Sequence, residues 1–494
     1  MARAKTPIQT SDVAVVGAGV AGLYAALTAA REGAHVALVS RSPLAASASY
    51  WAQGGIAAAL ARDDSPDRHA ADTLVAGRGI ARESAVRALC EDAPARVRAL
   101  QSLGVRFDAD RHGNLALGLE GGHSVRRVVH AGGSATGRRV TRELSALAAL
   151  DERIVVLERT TAGALWVRDG RCVGLVAQAE EQEPFALTAR GTVIATGGAA
   201  ALWQRTTNPR GAIGAGMTLA LRAGAKLADL ELMQFHPTAL VADDEHDGFL
   251  ITEAIRGEGA TLLDHDGNRF VDELAPRDEV ALAVRAELER SGSRSVSLDM
   301  RAVDPGRFPN VAERLAEAGI DSRRDLVPVA PAAHYTMGGI ATDLDGRSSL
   351  PGLYAVGECA CNGLHGANRL ASNSLADCFV FGRRAALTAA ADPEPPPAAP
   401  DSGAPPQPGP SPAPPPETRA ALWRLAGLER NAAGLRELAG DPFPLARLIA
   451  ACALAREESR GAHRRSDHPE TDPELDGAHT IADRGGEPVF ERWE

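Results

Sequence analysis

Long apolar runs, clustered cysteines and an excess of positive charge are all missing from this sequence of 494 residues. No uninterrupted apolar run approaches the ~18 residues of a membrane-spanning helix, and the first residues contain no apolar leader segment, so the expectation is a cytoplasmic protein without membrane attachment. The six cysteines are scattered without a Cys-x-x-Cys pair, which predicts reduced thiols and no metal site. A net charge of −11 argues against non-specific binding to nucleic acid.

The most informative stretch is an apolar run near the N-terminus that ends in Gly17-Ala-Gly19-Val-Ala-Gly22 and continues as a helical pattern. Gly17 allows a tight turn, Gly19 lets the backbone approach a pyrophosphate, and Gly22 lets the helix pack closely on the strand. The pattern predicts a dinucleotide at the helix N-terminus, and a glycine-rich turn without a ligand is the alternative. The next strand ends in Ser40-Arg41 without an acidic ribose ligand, which argues against NAD.

The pattern of a short strand ending in glycine returns twice, at residues 192–198 and 353–358. Ligands of open α/β sheets bind at the carboxyl ends of the strands, so the two returns predict a discontinuous nucleotide domain. Residues 67–104 show helical periodicity, and Asp169-Gly170 indicates a hairpin. Proline, alanine and glycine dominate residues 391–416, which is typical of a linker, and a helical pattern follows from about Thr418 to Arg456 before a charged tail.

Two histidines and two arginines are candidate hydrogen-bond donors to a ligand. His236, Arg277, His334 and Arg369 lie beside glycine or proline, in segments whose pattern indicates loops. Charge-assisted donors of this kind suit carboxylates, and an arginine can bind a carboxylate through two parallel hydrogen bonds. A structural hydrogen bond or a surface charge is the alternative for any one of them. Together they favour a small dicarboxylate as the ligand.

Six motifs, taken in this order, resemble the flavoprotein family of succinate dehydrogenases, fumarate reductases and L-aspartate oxidases, and most closely the aspartate oxidases. They are Gly17-x-Gly19-x-x-Gly22, Ser49-Tyr-Trp-Ala-Gln-Gly-Gly55, Gln234-Phe-His-Pro-Thr238, Leu274-Ala-Pro-Arg-Asp278, His334-Tyr-Thr-Met-Gly-Gly339 and His365-Gly-Ala-Asn-Arg-Leu-Ala-Ser-Asn-Ser-Leu375. A further match is Glu458-Ser-Arg-Gly-Ala-His463.

The resemblance implies a fold and a division into domains. The fold is an α/β Rossmann-like FAD-binding domain with an inserted α+β capping domain and a short C-terminal helical segment. The implied boundaries are 1–228 and 341–390 for the discontinuous FAD-binding domain, 229–340 for the capping domain, 391–417 for the proline-rich linker and 418–494 for the C-terminal helical region.

The same resemblance assigns roles to the polar residues. The residues implied to hold the two substrate carboxylates are His236 with Thr252, and His334 with Arg369. Arg277 matches the family's acid–base arginine, which supplies a proton to the substrate carbon opposite flavin N5 during fumarate reduction. Because a guanidinium rarely gives up its proton, this role needs a proton route back to the arginine. Glu253 is the predicted relay, and a plain ion-pair role is its alternative.

Glu120 is the residue that bears most on substrate choice. Aspartate oxidases place this glutamate near the substrate amino group, where succinate dehydrogenases and fumarate reductases carry a neutral side chain. A carboxylate there favours an ammonium group and disfavours a substrate without one, because an unpaired buried charge is costly. A turn-capping role before Gly121 is the alternative.

The resemblance also implies how FAD is held. Ala48 occupies the position of the histidine that binds flavin covalently in succinate dehydrogenases, so FAD should be non-covalent. Glu358 is expected at the ribityl or ribose hydroxyls, and Ala215 replaces the aspartate that the family usually has in Gly-Asp-Gly. The full set of implied FAD contacts is Gly17, Ala18, Gly19, Val20, Ala21, Gly22, Ser40, Ser47, Ala48, Ser49, Gln53, Gly54, Gly55, Thr196, Gly197, Glu358, Ser374 and Leu375.

The activity implied by the resemblance is FAD-dependent oxidation of L-aspartate to iminoaspartate, with oxygen or fumarate reoxidising the flavin. The product feeds quinolinate and NAD synthesis, with quinolinate synthase as the downstream partner. One alternative is a soluble flavoprotein of the fumarate reductase or succinate dehydrogenase type. Another is a flavoprotein-derived binding protein that has lost catalysis, for instance through the Ala215 change.

Overall fold

The structure is a computed structural model, and it describes residues 8–243, 245–394, 404–409 and 413–494. Their strands are β1 Ile8–Thr10, β2 Val13–Val16, β3 Val36–Val39, β4 Ile56–Ala57, β5 Leu117–Gly118, β6 Val128–Val129, β7 Ile154–Leu157, β8 Thr160–Arg168, β9 Arg171–Ala179, β10 Phe185–Thr188, β11 Gly191–Ile194, β12 Leu227–Ala228, β13 Met233–Leu240, β14 Thr261–Leu263, β15 Val296–Asp299, β16 Val327–Thr336, β17 Gly339–Ala341, β18 Leu353–Ala355, β19 Ala360–Cys361, β20 Ala478–Ala482 and β21 Val489–Arg492.

The helices lie mostly between these strands. They are α1 Val20–Arg31, α2 Pro66–Ala76, α3 Glu83–Ser102, α4 Thr136–Leu150, α5 Ala215–Ala223, α6 Ala254–Gly257, α7 Arg277–Ser291, α8 Pro309–Glu317, α9 Asn373–Ala391, α10 Pro416–Leu425, α11 Ala432–Leu438 and α12 Pro444–Ala455. Within the described ranges, no helix is both long enough and apolar enough to cross a membrane.

A parallel sheet of five strands, in the order β18-β11-β2-β3-β7, forms the centre of the molecule. Its inner strands β2, β3 and β11 are fully buried, as expected for a parallel sheet that is covered on both faces. Helices α1 and α9 pack together on one face, where Tyr24 and Phe379 meet edge to face with ring centroids 5.2 Å apart. The predicted strand–turn–helix at Gly17 is confirmed, as is the return of the chain to this sheet at β11 and β18.

A second sheet, β1-β10-β9-β8, adjoins the central sheet. Its longest hairpin joins β8 to β9 through Asp169 and Gly170, both of which have positive φ, so the predicted hairpin is confirmed.

The segment of residues 229–340 carries its own antiparallel sheet, in the order β13-β16-β15-β14, together with α6, α7 and α8. A separate apolar core that includes Leu240, Val284 and Val329 lies between this sheet and its helices. We call residues 229–340 the inserted segment. The domain boundaries inferred from the sequence stay predictions.

Two local expectations were incomplete. The helical pattern of residues 67–104 forms two helices, α2 and α3, because Arg78 and Gly79 both adopt positive φ between them.

The C-terminal region contains the expected helices, of which α10 starts inside the predicted linker, but it ends in two strands. β20 pairs with β12, and this partner lies about 250 residues away in the sequence, so no pattern within the tail reveals the pairing. Residues 395–403 and 410–412 of the predicted linker lie outside the described residues.

Candidate active site

The glycine turn between β2 and α1 is shaped by close backbone contacts. Gly17 has a φ of +113°, and a Cβ atom there would lie 2.3 Å from the carbonyl oxygen of Ala195. A Cβ at Gly22 would lie 1.9 Å from the Gly17 oxygen, so helix and turn can approach only without side chains. At the start of α1, the Val20 N–H donates to Ser49 Oγ over 3.2 Å, which brings the loop of residues 47–55 against the helix N-terminus.

Several implied FAD contacts carry buried polar atoms that lack partners. Ser47 Oγ, Gln53 Oε1 and Thr196 Oγ1 are all buried, and none has a hydrogen-bond partner among the described residues. A buried polar group without a partner is costly, so three such atoms around a glycine turn fit a polar ligand such as FAD. The other amide atom of Gln53, Nε2, donates to the Leu250 oxygen over 2.8 Å and links this loop to the inserted segment.

The remaining implied FAD contacts cluster at the ends of the central strands and at the start of α9. Ser40 directly follows β3, and its hydroxyl donates to the Ser42 oxygen. Leu375 is buried in the first turn of α9. The others lie on the turn into α1 (Ala18, Gly19, Ala21), on the loop and short 3₁₀ helix before β4 (Ala48, Ser49, Gly54, Gly55), after β11 (Gly197) and at the start of α9 (Ser374).

Glu358 follows β18 and is half-buried beside the end of β11. A Cβ at Gly198 would lie 2.1 Å from Glu358 Oε1, and the same oxygen accepts the Thr336 N–H over 3.1 Å. Burial raises the pKa of Glu358 to about 7, and the Thr336 N–H and the Arg369 charge oppose this rise. Because burial disfavours the charged form of Glu358, hydrogen bonds from hydroxyl donors, such as those of the FAD ribityl chain or ribose, would stabilise this carboxylate.

Replacing Gly17 with alanine should abolish FAD retention, because the new Cβ meets the Ala195 oxygen and the backbone is left-handed at this position. The measurement is the ratio of flavin to protein absorbance after purification. Gly33→Ala is the matched control, because Gly33 also has positive φ (+93°) but no atom lies within 4 Å of its would-be Cβ. The control should keep FAD and lose only about 1–2 kcal/mol of stability. Equal flavin content in both variants would contradict the role of the Gly17 turn in holding FAD.

The expectation that the four donor residues lie in loops was wrong for three of them. His236 is on β13, His334 is on the paired strand β16, and Arg277 begins α7, while Arg369 alone is in a loop. Their sequence context was misleading because Pro237 lies inside β13, where register shifts interrupt the pairing with β16, and because Gly338 follows shortly after the end of β16. The antiparallel pairing nevertheless brings the two imidazole rings to a centroid distance of 5.0 Å.

Both histidines are neutral hydrogen-bonding groups at physiological pH. Burial lowers the pKa of His236 well below its ordinary value, and the charges of Arg277, Arg256 and Arg369 act in the same direction. Burial, with Arg277 and Arg369, does the same to the pKa of His334. His334 Nδ1 shares a hydrogen bond of 2.7 Å with Thr207 Oγ1, which fixes the orientation of the ring.

Arg369 presents an unused donor to this region. Its Nη1 donates to Ser374 Oγ over 3.1 Å, while the buried Nε has no hydrogen-bond partner in the described structure. The guanidinium lies 4.5 Å from the ring centroid of Tyr335. Burial and the nearby Arg277 charge lower the pKa of Arg369 to about 10, so it remains cationic at neutral pH. A buried cation with a free N–H is suited to a carboxylate ligand.

Arg277 and Glu253 form a buried pair, as expected for a relay or an ion pair. Arg277 Nε donates to Glu253 Oε2 over 2.6 Å, and Arg277 Nη1 donates to Gln234 Oε1 over 3.2 Å. The other oxygen of Glu253 lies 3.2 Å from Arg256 Nη2. Glu253 therefore sits between two buried arginines, directly after the buried Thr252.

Glu120 lies on a buried loop next to this arginine pair. The neighbouring Gly121 is so close to Glu253 that a Cβ there would meet Glu253 Oε1 at 2.2 Å. Ser372 Oγ donates to Glu120 Oε2 over 2.6 Å, whereas the buried Oε1 has no aligned donor in the part of the chain that is described. Burial alone would raise the pKa of Glu120, but contacts with His130 and Ser372 and the Arg277 charge lower it to about 2.

Sequence reasoning gave no role to four residues that organise the site. Gln234 Nε2 donates to the Arg369 oxygen over 2.8 Å, so Gln234 connects Arg369 to Arg277. Gln234 could have been found from the sequence, because it lies in the motif of residues 234–238. Ser372 could have been found in the same way, because it lies in the motif of residues 365–375. Arg256 and His130 lie outside every motif, and only their contacts in the folded chain reveal them.

Comparison with known proteins gives a consistent result. Residues 12–375 match the FAD binding domain family, and residues 422–492 match the family of the fumarate reductase flavoprotein C-terminus. Curated L-aspartate oxidases of Agrobacterium fabrum and Caulobacter vibrioides are each 45% identical to this chain; the matches cover 93% of it and 91% and 94% of those proteins.

Solved structures agree with the sequence matches. The quinol fumarate reductase flavoprotein of E. coli is 29% identical, with a TM-score of 0.87, over 98% of this chain and 96% of that one. Sdh1 of Mycobacterium smegmatis is 31% identical, with a TM-score of 0.83, over 99% and 95%. The predicted fold class and FAD cofactor are thereby confirmed. These matches agree with the glycine turn at Gly17, the paired histidines and the buried arginines of the site. The chain therefore belongs to the succinate dehydrogenase and fumarate reductase flavoprotein family, among its L-aspartate oxidases.

Proposed function

We propose that this protein oxidises L-aspartate to iminoaspartate, the first step towards quinolinate and NAD. The observation that carries the proposal is the buried Glu120 Oε1, an ionised carboxylate oxygen to which no described residue offers an aligned donor, beside a cluster of arginines and histidines. A dicarboxylate that also bears an ammonium group satisfies both parts of such a site. Bound FAD supplies the acceptor for the hydride that leaves the substrate Cα.

The residues of the chain bind and orient the substrate. In this proposal Arg369 and His334 hold one carboxylate, and His236 with Thr252 holds the other. The Arg369 Nε, which has no hydrogen-bond partner among the described residues, and the approach of the two imidazole rings support this arrangement. Because the pKa of Glu120 is about 2, its side chain acts on the substrate ammonium as a fixed negative charge and does not take up a proton at neutral pH. Holding three substrate groups at once fixes the Cα–H bond in one orientation, which is how positioning accelerates a reaction.

Arg277 and Glu253 supply the proton chemistry that fumarate reduction requires. Donation from Arg277 to the substrate carbon leaves the guanidine short of one proton. In this proposal Glu253, which accepts the Arg277 Nε–H, takes up a proton from solvent and passes it to the guanidine. Arg256 contacts the far oxygen of Glu253 and extends the same chain of charged groups. Fumarate and oxygen are both acceptors in this proposal, and quinolinate synthase is the partner that consumes iminoaspartate.

A flavoprotein of the fumarate reductase or succinate dehydrogenase type is the second candidate, favoured by the resemblance to solved structures of those enzymes. In this second candidate Glu120 has no group of the substrate to bind, because neither succinate nor fumarate carries a cationic group. Ala48 supports non-covalent FAD in either case, since alanine offers no nitrogen for attachment to the flavin.

An anaerobic absorbance titration of the purified flavoprotein separates the candidates. L-aspartate should bleach the flavin band with a stoichiometry of one substrate per flavin, and succinate added in the same range should bleach it little. Trichloroacetic acid should release the flavin into the supernatant if binding is non-covalent. Flavin that stays oxidised in L-aspartate but bleaches in succinate would replace this proposal with the second candidate.

A further inference from the structure

We propose that His130 is a positioning residue that sets the preference for a substrate bearing an amino group, by holding the Glu120 carboxylate in place. The inference rests on the proposed function, because it concerns how the same site recognises the ammonium group of its substrate. Its basis is the position of the His130 imidazole, which lies in a slot between two glycines and against Glu120 Oε1, for which the described residues provide no aligned donor.

The slot is built by the small sheet β4-β6-β5. His130 directly follows β6, which pairs with β4 on one side and β5 on the other. A Cβ at Gly118 would lie 2.8 Å from His130 Cε1, and a Cβ at Gly55 would lie 3.1 Å from His130 Cδ2. A side chain at Gly118 would force the imidazole to shift, and one at Gly55 would crowd it. The His130 oxygen accepts the Asp108 N–H over 2.8 Å.

The ring in this slot faces Glu120. His130 Nε2 lies 3.4 Å from Glu120 Oε1, and the side chains of the two residues are 14% and 1% exposed. On the opposite oxygen, Ser372 Oγ donates over 2.6 Å and also accepts the Gly55 N–H over 3.1 Å. Glu120 Oε2 is thus held by a hydrogen bond, whereas Oε1 is only in close contact with His130 Nε2. Neither of these two atoms has a hydrogen-bond partner among the described residues, so Oε1 keeps the capacity to accept an ammonium N–H.

A fixed orientation matters here because Glu120 has a competing partner. The Arg277 charge attracts Glu120, and the Gly121 backbone touches Glu253, so the glutamate loop adjoins the acid–base pair. A Glu120 side chain released from His130 is free to turn towards Arg277, which neutralises the charge meant for the substrate ammonium. Fumarate lacks that ammonium, so loss of His130 should weaken aspartate binding selectively.

The test measures KM and kcat for L-aspartate oxidation and for fumarate reduction by the FAD-loaded enzyme. In His130→Leu the KM for L-aspartate should rise about tenfold, because a carboxylate that is free to turn away binds the substrate ammonium less well, and the KM for fumarate should change less than about twofold. His130→Gln, which keeps a donor at similar reach, should recover most of the loss. His265→Leu, on an exposed turn, is the matched control and should behave as wild type.

A double-substitution cycle separates positioning from general damage. In the Glu120→Gln background, His130→Leu should produce no further change in the aspartate KM, since the group it positions is gone. If His130→Leu fails to retain FAD, His130→Asn takes its place, because its shorter side chain fits the slot but falls short of Glu120, and the same changes are expected.

Two outcomes overturn the inference while leaving the proposed function intact. One is an unchanged aspartate KM in an FAD-loaded His130 variant. The other is a rise in KM of equal size for aspartate and fumarate that persists in the Glu120→Gln background. Flavin of the wild-type enzyme that is not reduced by L-aspartate at all would overturn the proposed function, and this inference with it.

Discussion

Arg277→Gln should lower kcat for fumarate reduction by about 10³-fold, within the range typical for loss of a general acid. The glutamine removes the guanidinium whose Nε is hydrogen-bonded to Glu253 over 2.6 Å, and with it the only link from that carboxylate to Gln234 that the described residues provide. The fold should tolerate the change, because Glu253 keeps its ion pair with Arg256. Steady-state reduction of fumarate with an artificial electron donor measures the effect.

Arg285→Gln is the matched control for this substitution. Arg285 lies on the same helix α7, is about one-third exposed, and pairs with Glu289 on the outer side. Its loss should leave kcat within about twofold of wild type, as expected for an exposed ion pair. A comparable fall in both variants would show that the Arg277 effect comes from damage to α7, and an unaltered kcat in Arg277→Gln would remove Arg277 from the proton chemistry.

Glu120→Gln should reduce kcat/KM for L-aspartate by about 100-fold and leave fumarate reduction within a fewfold of wild type, because loss of one partner of a buried charge pair commonly costs 2–5 kcal/mol. The amide keeps the shape of the side chain but no longer balances the substrate ammonium. The ratio of the two kcat/KM values, measured on one preparation with known FAD content, is the informative quantity.

Glu287→Gln provides the comparison for Glu120. Glu287 is also a buried carboxylate of which the side chain is 8% exposed, and it pairs with Arg290 in the last turn of α7. Its substitution should change both reactions equally if at all. A Glu120→Gln enzyme that loses aspartate oxidation and fumarate reduction to the same extent would indicate a role in the shape of the loop and not in recognition of the amino group.

The parts of this protein that were predictable from its sequence are those in which the informative residues are close together in the chain. The turn at Gly17 was predictable because strand, glycines and helix follow each other within about twenty residues, and steric limits on φ act between neighbours. The hairpin at Asp169-Gly170 was predictable for the same reason. The family resemblance then identified the candidate donor residues from the order of the motifs along the chain, but it gave no distances between their side chains.

Contacts between distant residues were not predictable in this way. Arg277 meets Glu253 across 24 positions and Ser372 meets Glu120 across 252, and in both cases separate elements must first pack before the side chains approach. Helical and strand patterns describe which face of an element is buried, but they do not describe which other element covers it. The loop assignment of His236 failed because an irregular strand with proline has the same local composition as a loop.

The sequence by itself determined the glycine turn and, through the family resemblance, the class of fold, and it predicted the donor residues and the role of Glu120. These inferences depend on local sterics and on residue types in a family order. Tertiary structure alone decided that Arg369 Nε and Glu120 Oε1 find no aligned partner among the described residues, and that His130 lies between two glycines and against Glu120. The reason is that the hydrogen-bonding state and the pKa of a buried group depend on everything packed around it, and this packing is assembled from segments far apart in the chain.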